Sequence, residues 1–350
     1  RQLESQRDAL MELYEITPAD CLVAAFAPFA LYGPAMGIPS IVPDMDVSAP
    51  GTLTAANLIK AAQAINASLV FASPAAIANV ISTSNELCEN ELETLSKVRL
   101  VLCAGAPVRP QLMKDFLSLT PNAKGYSPYG MTEVLPATNI GVSEMQASTK
   151  GVNVGKPAPG VEIAISPLDQ KGISVEKPTS EINIVGEVKI RSSHTFDGYN
   201  QLWHTDALSR SSDNWHASGD VGSLDQNGDL WIGGRLIHVI STPKGLMMPV
   251  SVEFEIEEIP EIQRAAAVGV GPAGLQQIVA VIEVLNSSTI IQAAPMSLVT
   301  KIRSITSSNI AAVLTVKRLP VDRRHNSKID RVLVKLWADK ALSGEKVRTK

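Results

Sequence analysis

The segment from Tyr126 to Glu133 carries residue types that could bind a magnesium nucleotide. Tyr129 offers a flat ring for stacking, and Gly130 leaves the backbone open to close approach by a ligand. Thr132 supplies a hydroxyl, and Glu133 supplies a carboxylate that suits Mg²⁺, which prefers hard oxygen ligands. A nucleotide presents a flat base and charged phosphate oxygens, so this segment, which we expect to form a turn, predicts a nucleotide site.

Later positions add charged groups beside glycines or in a basic run. Asp220 follows Gly219, Arg235 follows Gly234, and Lys328 lies among arginines near the C-terminal end. Aromatic residues make up only 4% of the chain, so the aromatic residues beside glycines stand out. In this order, the residues form a set that a charged ligand with an aromatic base would need.

Each of these residues alone also has an ordinary structural interpretation. Glu133 could cap a helix, because Thr-x-Glu patterns are common at helix starts, and Tyr129 could belong to the core. Asp220 could be a turn residue, and Arg235 could be a solvated charge in a loop. Lys328 could lie on a solvated basic face. Their order along the chain is what favours the functional interpretation.

Composition limits the class of protein. The 350 residues are 45% hydrophobic and 19% charged, which is typical of a folded soluble protein with about two or three domains. The net charge of −4 argues against nucleic acid as a partner, because phosphate backbones need a basic face. Prolines interrupt the apolar stretch 21–43, so we expect no membrane span. Cys21, Cys88 and Cys103 are widely spaced, which predicts a reducing, cytoplasmic location without disulfides or a zinc site.

The elements that must position these residues change character along the chain. Up to residue 150, short apolar strands alternate with longer helices, the pattern of a parallel sheet. We predict an α/β fold with a large domain over 1–234, whose second part (151–234) is rich in strands, and a smaller, mobile α+β domain over 235–350. The predicted strands are 22–27, 68–72, 98–103, 161–165, 186–191, 230–232, 265–270 and 278–285, and the predicted helices are 1–14, 51–65, one from 73, 109–119, 251–259 and 295–307.

The order of these motifs resembles the adenylate-forming superfamily, which includes acyl-CoA synthetases, nonribosomal adenylation domains and luciferases. The shared order is a glycine-rich turn, Tyr-Gly-x-Thr-Glu, Gly-Asp, Gly-Arg and a late lysine, and it spans nearly the whole chain. The segments 29–37, 42–46, 129–136 and 324–329 resemble the β-lactone synthetases of bacterial long-chain olefin biosynthesis more closely. The resemblance implies a ligase that uses ATP and Mg²⁺.

The resemblance also implies a role for each motif residue. Thr132 would contact the α-phosphate, Glu133 would hold Mg²⁺, and Tyr129 with Gly130 would bind at the adenine. The remaining implied nucleotide contacts are Gly105, Ala106 and Pro107 at the edge of the base, Asp220 at the ribose hydroxyls, Arg235 at the ribose and the hinge, and Lys328 as the catalytic charge on the α-phosphate and the substrate carboxylate.

In the reaction implied by the closer resemblance, a 2-alkyl-3-hydroxy fatty acid is adenylated and its own 3-hydroxyl then displaces AMP to close a β-lactone. Phe29, Tyr32 and Met36 are predicted walls for the alkyl chains, although each could equally pack in the core. Pathway partners would be a thiolase-like enzyme and a lactone-decarboxylating enzyme.

Some positions depart from the superfamily pattern. Ile237 and Ser241 stand where the hinge usually has an aspartate and a lysine, which weakens the interpretation as a CoA ligase. The phosphate-binding loop would lie just before Arg1, so we expect the chain to be a fragment that turns over ATP weakly. The alternative functions are a long-chain fatty acyl-CoA or acyl-AMP ligase, and a catalytically silent nucleotide-binding assembly subunit.

Overall fold

The structure is a computed structural model that describes residues 2–148, 151–174, 177–210, 213–285, 287–321 and 329–349. A large mixed sheet contains the strands β1 (Leu22–Ala24), β2 (Ser40–Ile41), β3 (Leu69–Ala72), β4 (Leu100–Cys103), β5 (Lys124–Met131), β6 (Val134–Gly141), β7 (Ala147–Ser148), β8 (Gly151–Pro157), β9 (Val161–Pro167), β10 (Gly186–Ser192), β11 (His216–Leu224) and β12 (Leu230–Arg235). Their order is β2-β1-β3-β4-β5-β6-β8-β12-β11-β10-β9, with β7 paired to β8.

Helices connect and cover these strands and those of the C-terminal part. The described α-helices are α1 (Gln2–Leu13), α2 (Tyr32–Ala35), α3 (Ala55–Ile65), α4 (Pro74–Thr83), α5 (Glu89–Ser96), α6 (Pro110–Leu119), α7 (Trp203–Ser209), α8 (Pro249–Glu257), α9 (Met296–Ile305) and α10 (Arg331–Leu342). The hydroxyl of Thr54 caps α3 by accepting from Asn57 N at 3.3 Å, and Ser73 caps α4 in the same way through Ala76 N.

The first half of the large sheet is parallel and buried on both faces. Strands β2, β1, β3, β4 and β5 pair in parallel. Val70 and Val101 pack into a core on one face, whereas Phe71 and Leu102 pack into a second core on the other face. Strands covered on both faces read as continuous apolar runs, which is why the sequence predicted β3 and β4 well.

The second half of the sheet is antiparallel and begins at the hairpin of β5 and β6. Strand β6 continues the sheet into β8, where Thr138 pairs with Pro157 and Asn139 with Lys156. The strand-rich residues 151–234 therefore extend the same sheet. A third core, which includes Ile165 and Val188, lies under this half.

The C-terminal part has its own sheets. Strands β13 (Ile240–Thr242) and β14 (Gly245–Met247) form a hairpin. Strands β15 (Ile262–Val270), β16 (Gln277–Val284), β17 (Gln292–Ala293) and β18 (Ile310–Val316) form a four-stranded sheet in the order β15-β16-β18-β17. The last strand along the chain that belongs to the large sheet is β12, which ends next to the predicted domain boundary at residue 235. This boundary stays a prediction.

The predicted α/β fold is confirmed, but some predicted elements differ from the structure. Strand β1 ends at Ala24, and the chain then bends and enters a 3₁₀ helix over Ala27–Leu31, so the predicted strand 22–27 is too long. The expected turn over 126–133 is mostly strand, since β5 runs to Met131. Proline and glycine suggested a turn there, yet the pairing of β5 with β6 shifts register at this point, and such bulges accommodate both residue types.

None of the helices in the described ranges combines the length and the apolar character that a membrane span would require.

Candidate nucleotide site

Several site segments follow neighbouring parallel strands and therefore lie at the same edge of the sheet. Leu102 of β4 pairs with Tyr126 of β5. Gly105–Pro107 comes directly after β4, and Thr132 comes directly after β5. The carboxyl ends of parallel strands are the usual place for ligands in such sheets.

The β5–β6 hairpin presents Thr132 and Glu133 at its turn. A side chain at Gly130 would begin 2.7 Å from the carbonyl oxygen of Val134 and 2.7 Å from a methyl carbon of Leu135, so the turn needs glycine there. Thr132 is exposed and Glu133 is half-buried. Since strand β6 follows directly, the alternative that Glu133 caps a helix is wrong.

Tyr129, Asp220 and Arg235 come together from three strands. The phenol of Tyr129 donates to Asp220 Oδ2 at 2.6 Å, and Arg235 Nη1 donates to Asp220 Oδ1 at 3.0 Å. Asp220 is 7% exposed and lies on β11, so the alternative of a turn residue is wrong. Arg235 ends β12 and is exposed, but its ion pair with Asp220 excludes a free loop charge.

Burial and the neighbouring charge of Asp220 raise the pKa of the Tyr129 phenol well above its usual value. The phenol therefore stays protonated and acts as a donor. Tyr129 is half-buried, with its hydroxyl in the polar cluster and its ring partly in the core under the second half of the sheet. The core and the functional interpretations of Tyr129 thus describe different parts of one side chain.

Glu133 is held by the segment 196–199, which the sequence analysis did not assign to the site. Tyr199 donates its phenol hydrogen to Glu133 Oε1 at 2.6 Å, and Phe196 N donates to Glu133 O at 2.8 Å. Gln2 Nε2 donates to the carbonyl oxygens of Thr132 and Glu133 at 3.3 and 3.4 Å. One available signal was the Gly198-Tyr199 pair, because aromatic residues beside glycine are rare in this chain.

Two buried histidines border the same segment. His194 Nε2 lies 2.9 Å from the carbonyl oxygen of Pro136, and His216 lies edge-on to the Phe196 ring with 5.2 Å between ring centres. Burial lowers the pKa of His216, and the charge of Glu133 opposes this shift. Both histidines therefore pack against residues that adjoin Glu133.

The predicted edge at the base lies beside aromatic side chains. Gly105 and Pro107 are exposed and Ala106 is half-buried. The ring of Phe26 lies next to Gly105 and stacks on Phe71, with ring centres 5.8 Å apart. An aromatic cluster thus connects the end of β4 to the core around α2.

The residues predicted as substrate walls belong to that core. Phe29 is 5% exposed and Met36 is 7% exposed, while Tyr32 is half-buried and donates its phenol hydrogen to Gln6. The three residues line a cavity of about 20 Å³ together with Leu10, Ile16, Leu22, Leu69, Val70, Phe71 and Leu102. A cavity of this volume holds about one water molecule. Their role in substrate binding stays a prediction.

Lys328 falls within 322–328 and so lies outside the described residues. Helix α10 begins three residues later at Arg331, which pairs with Glu253 of α8. Burial lowers the pKa of His238, three residues after Arg235, and the charges of Arg331 and Arg235 lower it further. The chain on the C-terminal side of Lys328 is therefore anchored near the end of β12.

Glu133 fits a magnesium site of the kind that a nucleotide completes. Mg²⁺ is commonly held by one or two carboxylates together with phosphate oxygens and water. Among the described residues, no three His, Cys, Asp or Glu side chains cluster as a cage for a metal ion. The donor set at Glu133 would therefore suit Mg²⁺ that arrives with phosphates.

A family model described as AMP-binding enzyme matches residues 25–200, about half of the chain. The chain therefore belongs to this family, and the resemblance seen in the motif order is confirmed. An olefin beta-lactone synthetase from Xanthomonas campestris pv. campestris is 31% identical over 97% of this chain and 63% of its own length. One from Stenotrophomonas maltophilia is 30% identical over 91% of this chain and 59% of its own length.

The fold agrees with solved structures of related architecture. ATP-bound MatB from Rhodopseudomonas palustris superimposes with a TM-score of 0.75 at 18% identity, covering 97% of this chain and 64% of that protein. The chain thus spans less than two thirds of the length of the curated relatives and of this structure.

Proposed function

We propose that the protein activates a fatty carboxylic acid with ATP, forming an acyl adenylate and releasing pyrophosphate. The observation that carries this proposal is the joining of Tyr129, Asp220 and Arg235 by hydrogen bonds although Tyr129 and Asp220 are 91 residues apart. Tyr129 of this cluster lies on β5, the strand that leads into Thr132 and Glu133. One hairpin thus connects groups for the adenosine end of the nucleotide with groups for its phosphates.

The first step would be attack of a substrate carboxylate oxygen on the α-phosphorus of ATP. The bond to the β-phosphate oxygen breaks, and the electron pair leaves with pyrophosphate. We propose that Tyr129 and Gly105–Pro107 bind the adenine, that Asp220 and Arg235 bind the ribose, and that Thr132 donates to the α-phosphate. These groups position the reactants, which is the main contribution a protein makes to such a transfer.

Charge on the phosphates would be neutralised from two sides. When bound, Mg²⁺ at Glu133 would supply electrostatic stabilisation of the phosphate oxygens. Lys328 would approach the α-phosphate and the substrate carboxylate as a point charge. The proposal for Lys328 is supported by its place in the motif order and by Arg331, the described residue three positions later, whose charge acts on His238 near the end of β12.

For the second step we propose closure of a β-lactone from a 2-alkyl-3-hydroxyalkanoate. The 3-hydroxyl oxygen attacks the acyl carbon, the bond to the AMP oxygen breaks, and the hydroxyl proton passes to water. The names of the two relatives support this product. Thiolase-like and lactone-decarboxylating enzymes would then supply the substrate and consume the product.

Ser241, which stands where the hinge of CoA ligases usually has a lysine, makes several hydrogen bonds in the structure. Ser241 Oγ donates to Gln170 O at 2.6 Å and accepts from Gly274 N at 3.0 Å, while Ser241 N donates to Gln276 Oε1 at 2.8 Å. Ser241 is buried, so these bonds tie β13 to residues on either side of the predicted domain boundary. A lysine could not make the same short contacts, which supports a reaction without the hinge lysine of CoA ligases.

Phe29, Tyr32 and Met36 would bind the alkyl chains. Because the present cavity among them is about 20 Å³, these side chains must move apart to admit an acyl chain. The rings of Phe29 and Tyr32 stack with centres 5.1 Å apart.

The test is to supply ATP and a 2-alkyl-3-hydroxy acid to the protein, with and without CoA. Lactone and AMP formed without CoA would support the proposal. A thioester that requires CoA would instead support the fatty acyl-CoA ligase. Nucleotide binding without AMP release from any acid tested would leave the silent subunit.

A further inference from the structure

Tyr199 holds one oxygen of the Glu133 carboxylate. Its phenol donates to Oε1 at 2.6 Å. Within the described part of the chain, Oε2 of the same carboxylate accepts no hydrogen bond from another residue. The two oxygens are therefore distinct, since one is occupied and the other is available.

The segment that carries Tyr199 is itself fixed. Tyr199 N donates to Asp206 Oδ1 at 3.1 Å, which attaches the segment to helix α7. The Phe196 and Tyr199 rings meet edge to face with centres 4.6 Å apart, and Phe196 N donates to Glu133 O at 2.8 Å. Glu133 is thus held at both its backbone and its side chain by one segment.

We propose that Tyr199 is a positioning residue that holds Glu133 Oε1, so that Oε2 binds the metal ion of the nucleotide as a single ligand. This inference rests on the proposed function. A glutamate has three freely rotating side-chain bonds, and a hydrogen bond to one oxygen removes much of that freedom before the metal arrives. Carboxylates that bind metals are commonly oriented by a hydrogen bond of this kind.

The phenol is suited to this task because it stays a donor. A phenol carries its proton at neutral pH and donates a hydrogen bond without carrying a charge. A lysine in the same place would add a positive charge that competes with the metal for the carboxylate. Tyrosine orients the oxygen without cancelling its charge.

The experiment compares Tyr199→Phe with the unmodified protein in a Mn²⁺ titration followed by electron paramagnetic resonance, with a non-hydrolysable ATP analogue present. We expect Mn²⁺ affinity to fall about 10- to 100-fold. Tyr14→Phe is the matched control. It also removes a tyrosine hydroxyl that donates a hydrogen bond, here to Asn139 Oδ1 at 2.8 Å, and it should leave the Mn²⁺ affinity unchanged.

A double-variant cycle separates this role from a general structural one. If Tyr199 acts through the carboxylate, adding Tyr199→Phe to Glu133→Gln should weaken metal binding no further. Equal Mn²⁺ affinity of Tyr199→Phe and the unmodified protein would overturn this inference alone. Absence of metal–nucleotide binding by the unmodified protein would overturn the proposed function as well.

Discussion

Asp220 accepts hydrogen bonds from two strands and keeps capacity for a ligand. Oδ2 accepts from Tyr129 and Oδ1 accepts from Arg235. A carboxylate has about four acceptor sites, so ribose hydroxyls can still bind. The flanking Ser218 hydroxyl accepts from Asp220 N at 3.0 Å and fixes the backbone at this residue. The carboxylate of Asp220 is thus held in one orientation without a bound nucleotide.

Asp220→Asn should weaken ATP binding about tenfold or more. The amide keeps the shape of the side chain but loses the ion pair with Arg235 and the charged acceptors, and hydrogen bonds to charged groups contribute about 1.5–3 kcal/mol. Calorimetric titration with ATP would measure the change. Asp229→Asn, at a carboxylate that accepts from Asn153 at 3.2 Å, should retain the affinity. Unchanged ATP binding by Asp220→Asn would refute the role given to this residue.

His238 should make stability depend on pH. Burial, followed by the charges of Arg331 and Arg235, lowers its pKa to about 4 from 6.5, and its Nδ1 has no hydrogen-bond partner among the described residues. The unfolded chain binds a proton more readily than the folded protein between these values. The penalty for protonating His238 in the folded protein is therefore absent above about pH 6.5. It grows as the pH falls toward about 4, so the free energy of unfolding decreases over this range.

Denaturant unfolding at several pH values would measure this effect. His238→Gln should flatten the loss of stability between pH 6.5 and 4, whereas His204→Gln, at an exposed position of α7, should not. The same slope in His238→Gln and the unmodified protein would show that other groups cause the loss.

The contact of strands β6 and β8 joins the β5–β6 hairpin to the strand-rich residues 151–234 of the large sheet. A side chain at Gly155 would begin 2.0 Å from the carbonyl oxygen of Asn139, and the backbone there has φ of +82°. Residues with side chains avoid both conditions. This single glycine therefore allows β8 to lie against β6 and keeps β12 and β11 in line with the hairpin.

Gly155→Ala should lower the free energy of unfolding by more than about 3 kcal/mol, because the strain adds to a backbone clash. Gly160→Ala is the control, since its φ of +72° is similar but nothing lies within 4 Å of the added carbon. It should cost only about 1 kcal/mol. Thermal and denaturant unfolding would measure both, and equal losses would show that the close approach to Asn139 is unimportant.

An ion pair connects the start of helix α6, which covers the large sheet, to the C-terminal part of the molecule. Arg109, which precedes α6, pairs with Glu257 at the end of α8. Glu257 also accepts from Ala265 N at 2.9 Å, so its carboxylate belongs to the C-terminal sheet. Opening of the two parts relative to each other would have to break this pair.

Glu257→Gln should loosen this connection. We expect a coupling of about 1 kcal/mol between Arg109 and Glu257 in a double-variant cycle, because Arg109 is largely solvated. Limited proteolysis within 236–248 should also become faster. Glu261→Gln breaks the pair of Glu261 with Lys301, which lies within the C-terminal part, and should leave this cleavage rate unchanged. A zero coupling energy would count against the connection.

Features that depend on residues close together in the chain could be predicted from the amino-acid sequence. Continuous apolar runs predicted β3 and β4, and Ser73 marked the start of α4, because strand burial and helix capping act over a few residues. The predicted helix 51–65 instead begins at Ala55, after a 3₁₀ helix over Pro50–Thr52. The types and order of Tyr129, Thr132, Glu133, Asp220 and Arg235 were also enough to indicate the family. Their individual roles remain predictions.

Which of these residues come into contact, and which hydrogen bonds hold them, depends on the tertiary structure. Tyr199 lies 66 residues from Glu133, and Asp220 lies 91 residues from Tyr129, so no local pattern specifies either hydrogen bond. The backbone around Pro128 and Gly130 is extended because β6 pairs with β5 there, which overrides the local preference of proline and glycine for a turn. Pairing across the sheet is a non-local interaction. For this reason the residue types of the site could be predicted from the sequence, but their contacts could not.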